Sequence, residues 1–255
     1  MVKPTRKKMK FLIVALLLTL FTQAKTIKVA VAANVSYAIN DLKKEFNRLY
    51  PDIKVQVILG STGKLTAQIK HGAPYDIFMG ANMLYPETLY KEDFAVTRPL
   101  VYAQGSLVYL SKQKRDFSKV MELLKSDKVK KIAVANPKTA PYGIATKEAL
   151  ENAKVYNDIK NKFVFGESIS QTVTYATKAT DIGFIAKSSL FSPQMAHFKK
   201  GENWADVDPK LYTPIDQGIV ILKQGEKSPE ALAFYAFIFS KKAEQIFKEF
   251  GYIIP

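Results

Sequence analysis

Four short segments hold most of the side chains that could do chemistry. They are Ala33-Asn34-Val35-Ser36, Gly60-Ser61-Thr62-Gly63, Ala140-Pro141-Tyr142-Gly143 and Glu167-Ser168-Ile169-Ser170. Each is rich in Ser, Thr, Asn or Gly, residue types that open helices. A helix start exposes backbone N–H groups that have no partner inside the helix, and it carries about half a unit of positive charge. The chemistry this suits is the holding of an anion by neutral donors. Capping alone accounts for any one of these loops. Four of them meeting in one place would supply about two units of positive charge, enough for a dianion without Lys or Arg.

Sharper chemistries find no support. Gly63-Lys64 resembles the end of a phosphate-binding loop, but Leu65 follows where Ser or Thr is needed, and Ile58 stands in place of the first Gly. Gly143 lacks a GxGxxG context, and Gly-x-Ser-x-Gly is absent. The histidines, His71 and His197, are far apart, and neither has the surroundings of a triad base or a metal ligand. With no Cys, thiol catalysis, thiolate metal sites and disulfide frameworks are excluded. Carboxylates are plentiful, yet no spacing singles out a catalytic pair. The 13 tyrosines read as core and interface residues rather than as an iron site.

The elements around the loops repeat one pattern. Lys28–Ala33 reads as a buried strand, and Ile39, Leu42, Phe46 and Leu49 form the apolar stripe of a helix. Residues 53–59 form a second strand, a short helix carries Leu65 and Ile69, and residues 76–79 form a third strand. Strands over 106–110, 131–135, 162–165, 182–186 and 219–222 follow, with helices over 120–125, 144–153 and 171–177. Helices over 229–239 and 242–250 close the chain. Alternating strand and helix predicts α/β architecture with mainly parallel sheets, and each loop above follows a strand, where ligands bind in open sheets. No linker divides the chain into independent domains, so two α/β lobes sharing chain crossings are expected.

The first 24 residues fall outside this pattern. Five basic residues and no acid precede Phe11–Phe21, which is eleven residues long with ten apolar, and Thr22-Gln23-Ala24 follows. This is the form of a secretory signal peptide, with cleavage expected after Ala24 and export as a soluble protein. Its loss takes five of the 38 basic residues and none of the 23 acidic ones, so the formal charge falls from +15 to +10. The lysines are scattered, and no nucleic-acid motif accompanies them, so a solvated basic surface is expected rather than a nucleic-acid interface.

From Lys28 onward the chain resembles the periplasmic molybdate-binding proteins of ABC importers. The resemblance rests on ordered stretches: Val31-Ala-Ala-Asn34, Gly60-Ser-Thr-Gly-Lys-Leu65, Gly72-Ala-Pro-Tyr-Asp-Ile-Phe78, residues 133–137, residues 140–150, Ile182-Gly-Phe-Ile185 and residues 243–251. It implies the two-lobed type II periplasmic binding protein fold, each lobe a mainly parallel sheet flanked by helices, with the ligand cleft between lobes. Residues 25–102 plus about 215–255 would form one lobe, and about 103–214 the other. It further implies a non-enzymatic receptor that delivers molybdate or tungstate to an inner-membrane permease. The receptor would act as a monomer in the periplasm, with no cofactor and no metal beyond the metalate.

Carried over by position, the family's first Ser ligand falls on Asn34 and its second hydroxyl on Thr62, with Ser61 beside it. Its backbone donors fall on Tyr142 and Ile169. The Tyr hydroxyl of well-known members falls on Ala186, which has none. Tyr142, Lys187, Ser188 or a water are the candidates to replace it, and Ser36 and Ser168 are further candidates within the loops. Asn34 can donate from its amide provided its carbonyl points away. These departures leave sulfate, phosphate or a small organic acid open as the ligand of the same fold.

Overall fold

The computed structural model describes residues 25–255; the expected signal peptide lies outside them. Strands β1 (Lys25–Ala32), β2 (Ile53–Gly60), β3 (Ile77–Met79) and β4 (Leu100–Gly105) join a late strand, β10 (Ile215–Ile221), in one sheet of order β2-β1-β3-β10-β4. Strands β5 (Leu107–Leu110), β6 (Ile132–Ala135), β7 (Phe163–Gly166), β8 (Ile182–Ala186) and β9 (Trp204–Asp206) make a second sheet of order β7-β6-β8-β5-β9. Within each sheet four strands run one way and a single strand, β10 or β5, runs against them. The sheets are thus mostly parallel, as the alternating pattern predicts.

Apolar residues fix the register. β1 is an interior strand of its sheet, and Val29, Ala30 and Val31 are fully buried between helices on both faces. The Ile39–Leu49 helix buries Ile39, Leu42 and Phe46, whereas Leu49 is 49% exposed because the helix ends there. Phe46 packs on Phe234 and Phe237 of the Pro229–Ile238 helix at ring-centroid distances of 5.0 and 5.5 Å. The C-terminal helices therefore complete the core of the first lobe.

Two strands, β4 and β9, lie where the sequence predicts none, and β10 starts four residues before the strand expected over 219–222. Their pairing is non-local. β4 pairs with β10, from more than a hundred residues away, and Asp216, Gln217 and Gly218 form its irregular half, with a register shift between Gln217 and Gly218. These segments matter because the chain passes between the sheets beside them, at Ser106 and again over residues 207–214.

A candidate anion-binding recess between the lobes

Three of the four loops open α-helices at the carboxyl ends of strands: Thr62–Lys70 after β2, Pro141–Asn152 after β6 and Ile169–Lys178 after β7. The fourth, after β1, opens a five-residue 3-10 turn, Ala33–Tyr37, rather than an α-helix. The α-helical contribution is therefore about 1.5 units of positive charge, not two. All four loops reach a common recess of about 190 Å³. One lobe lines it with Ala32, Ala33, Asn34, Ser61, Thr62 and Ala81, and the other with Ala140, Pro141, Tyr142 and Ile169. No Lys, Arg, Asp or Glu lies on its wall. A larger, mostly apolar groove of about 740 Å³ opens beside it, lined by Met83, Leu84, Ile144 and Ile215 among others, and lacks this set of donors.

The donors on the wall are free. Ser61 is an N-cap residue, and an N-cap Ser ordinarily accepts a hydrogen bond from its own helix. Ser168, Ser228 and Ser240 do so, accepting from Gln171, Ala231 and Ala243 N–H at 3.1–3.2 Å. Ser61 does not; its Oγ is buried and has no partner. A buried hydroxyl without a partner costs about 1–3 kcal/mol, so this one calls for an explanation. The neighbouring Thr62 Oγ1 accepts Ala81 N–H at 3.1 Å, which occupies a lone pair and leaves its proton to be donated. Tyr142 and Ile169 sit in the first turns of their helices, and neither amide N–H has a partner among the described residues. The arrangement can offer a small anion two hydroxyls and two amides at once.

Asn34 lies on the wall in a different state. Its Nδ2 donates away from the recess, to Gln217 Oε1 at 2.8 Å and Tyr252 Oη at 2.9 Å, while its Oδ1 is buried without a partner. The remaining candidates are off the wall. Ser36 Oγ lies 3.4 Å from Ser170 Oγ, and Ser168 caps its helix. Ala186 is the fully buried end of β8, and Lys187 Nζ is held 2.8 Å from Asp206. Ser188 Oγ donates to the Asn34 carbonyl at 3.0 Å. Tyr142 lines the recess, and its hydroxyl lies beside Gly105 and Gln217. A Cβ at Gly105 would overlap that hydroxyl oxygen, so the close approach requires Gly. Burial pushes the Tyr142 hydroxyl well above its ordinary pKa.

Sequence reading misses Gln217, Tyr102 and Tyr252, which form the buried polar layer behind Asn34. The one available signal is Gln217 itself, a polar residue on an inward position of a strand whose neighbours there are apolar.

The lobes touch around the recess. Gly63 N–H donates to Thr139 O at 2.9 Å, Ser170 Oγ donates to Ala33 O at 2.9 Å, and Lys64 pairs with Glu167. That ion pair is half exposed, so it is worth at most about 1 kcal/mol. Gly63 matters more. A Cβ there would stand 2.9 Å from Tyr85 Oη, 3.0 Å from Thr139 O and 3.1 Å from Thr139 Cα. Gly63→Ala is therefore expected to destabilise this contact between the lobes by about 1–3 kcal/mol through overpacking at the seam. Small-angle scattering should show a larger radius of gyration with unchanged secondary structure; an unaltered curve would show that the seam absorbs the methyl.

Comparison with known proteins places this geometry. A family model described as bacterial extracellular solute-binding protein matches residues 27–253. The molybdate-binding protein ModA of Azotobacter vinelandii is 35% identical over 246 residues, covering 94% of this chain and 96% of that protein. Its counterpart from Rhodobacter capsulatus is 33% identical over 229 residues, covering 88% and 86%. The solved periplasmic molybdate-binding protein of Azotobacter vinelandii superimposes with a TM-score of 0.83 at 28% identity, covering 90% of this chain and 99% of that one. The sulfate-binding protein SubI of Mycobacterium tuberculosis shares the fold, with a TM-score of 0.71 at 12% identity. The match over nearly all the described residues places this protein in the bacterial extracellular solute-binding protein family, beside its molybdate-binding members.

Proposed function

We propose that this protein captures a tetrahedral oxyanion, molybdate or tungstate, between its lobes in the periplasm and presents the closed complex to an ABC importer. The observation that carries this reading is the uncharged recess with two proton-bearing hydroxyls, Ser61 and Thr62, and the free first-turn amides of Tyr142 and Ile169. Such donors solvate an anion without a counter-charge, and helix ends strengthen them. Ser61 and Thr62 belong to one lobe, Tyr142 and Ile169 to the other, so only the closed state offers all four. The anion thereby selects closure. Residues 25–102 with 215–255, and residues 103–214, act as the two moving bodies, hinged at Ser106 and at 207–214. The molybdate-binding relatives favour a metalate, and the small recess favours an inorganic oxyanion over an organic acid.

Sulfate or phosphate is the second reading, favoured by Asn34 and Ala186, which stand where the resemblance expects hydroxyls. Calorimetric titration with molybdate, tungstate, sulfate, phosphate and citrate separates the readings. Binding of both metalates and not of sulfate is expected. Tyr142 is the sole titratable side chain on the wall, and burial holds it protonated far into alkali. Metalate affinity should therefore vary less than about twofold between pH 6 and 9, well below the ordinary Tyr value and above the carboxylate range. Binding of sulfate or phosphate alone would overturn the ligand, and a steep pH profile would place an ionising side chain at it.

A further inference from the structure

The polar layer behind the recess is unbalanced. Gln217 Oε1 receives two donors, Asn34 Nδ2 at 2.8 Å and Tyr102 Oη at 2.9 Å. Three neighbouring buried atoms have no partner: the acceptor Asn34 Oδ1, the donor Gln217 Nε2 and the hydroxyl Tyr142 Oη. Gln217 Nε2 and Tyr142 Oη crowd the same bare face of Gly105. A half-turn of a carboxamide exchanges its nitrogen and oxygen with almost no other movement, and the hydrogen-bond count decides which way it stands.

Building on the oxyanion-receptor reading, we propose that in the anion-bound protein the amides of Asn34 and Gln217 both stand half a turn from this arrangement, so that Gln217 holds Asn34 with Nδ2 toward the oxyanion. The buried groups then match donor to acceptor. Gln217 Oε1 presents an acceptor to the Tyr142 hydroxyl beside Gly105. Gln217 Nε2 donates to Asn34 Oδ1 across the same 2.8 Å, and to Tyr102 Oη. Tyr102 in turn donates to Gly80 O, 3.4 Å away. Tyr252 Oη, which here donates to the Asn34 main-chain carbonyl at 2.9 Å, turns its proton to Asn34 Oδ1, and Ser188 keeps that carbonyl satisfied at 3.0 Å. One donor is left over, Asn34 Nδ2, and Asn34 is a residue of the recess wall. Gln217 is thus a positioning residue. A serine at this position could turn its own hydroxyl toward the ligand, but an asparagine must be pointed, and Gln217 points it.

The test is a double-mutant cycle read by molybdate calorimetry, with Gln217→Met made in the native chain and in an Asn34→Ser background. A residue that acts only by pointing the Asn34 amide is expected to cost about tenfold or more in affinity in the native chain, and under about twofold in the Asn34→Ser background, where the introduced hydroxyl turns freely. Equal losses in both backgrounds would mean that Gln217 acts through the fold, and no loss in the native chain would mean that it points nothing; either overturns the proposal. Should Gln217→Met not fold, the native protein loaded with molybdate answers by NMR. Cross-peaks from the Gln217 side-chain amide protons stronger to the Tyr102 ring than to the Tyr142 ring support the half-turn, and the reverse order overturns it. A native chain that binds no oxyanion at all refutes the receptor reading itself, and is seen before any variant is made.

Discussion

Ser61→Ala is expected to weaken oxyanion binding by about 1.5–3 kcal/mol, roughly ten- to a hundredfold, while leaving the stability of the free protein unchanged or slightly raised. Both halves follow from one fact. The Ser61 Oγ is buried and has no protein partner, so the folded chain gains nothing from it. Removing it relieves an unsatisfied polar group in the free protein and removes a charge-assisted hydrogen bond from the complex. Ser168→Ala provides the opposite pattern. Its Oγ accepts Gln171 N–H and lies off the wall, so its loss should cost about 1 kcal/mol of stability with little change in affinity. Thr62→Ala should affect both, because Thr62 Oγ1 also receives the Ala81 N–H. Calorimetry with denaturant unfolding of the three variants separates these roles. Full affinity in Ser61→Ala would take Ser61 out of the site and leave its orphaned hydroxyl without a function.

The second large effect is on thermal unfolding. A ligand that binds only the folded state stabilises it by about 4 kcal/mol when present at about 1,000 times its dissociation constant. For a folded unit of this size each kcal/mol raises the midpoint by about 2–4 °C, so molybdate or tungstate should raise it by about 8–16 °C. The sample must first be unfolded and refolded to strip carried anion, because a loaded protein would hide the shift. Sulfate at the same concentration should leave the midpoint in place. A flat response to both metalates with a shift from another anion would keep the fold and change the ligand. A flat response to every anion would refute the receptor reading.

Much of the architecture is legible in the chain because its cause is local. The strand of Val29, Ala30 and Val31, the helix stripe of Ile39, Leu42 and Phe46, and the Ser-rich helix starts report on neighbours a few residues away. Periodicity and capping are short-range properties, so one sequence displays them. The stripe fails at Leu49 because the same periodicity continues past the point where the helix has nothing left to pack against. β4 escapes notice for the complementary reason: its partner, β10, lies more than a hundred residues along the chain.

The candidate site divides along the same line. Residue types and their order suffice to mark the helix starts that carry neutral donors, while Ser61, Thr62, Tyr142 and Ile169 are singled out by the family resemblance. Which hydroxyl is free emerges from the folded chain alone. Ser61 and Ser168 are the same residue type at the same N-cap position, yet Ser168 caps its helix and Ser61 leaves its oxygen unpartnered at the recess. The state of Asn34 is likewise set by folding, its amide held by Gln217 and Tyr252, 183 and 218 residues away. A residue type fixes how many hydrogen bonds a group can make, while their direction depends on atoms that folding alone brings within about 3 Å.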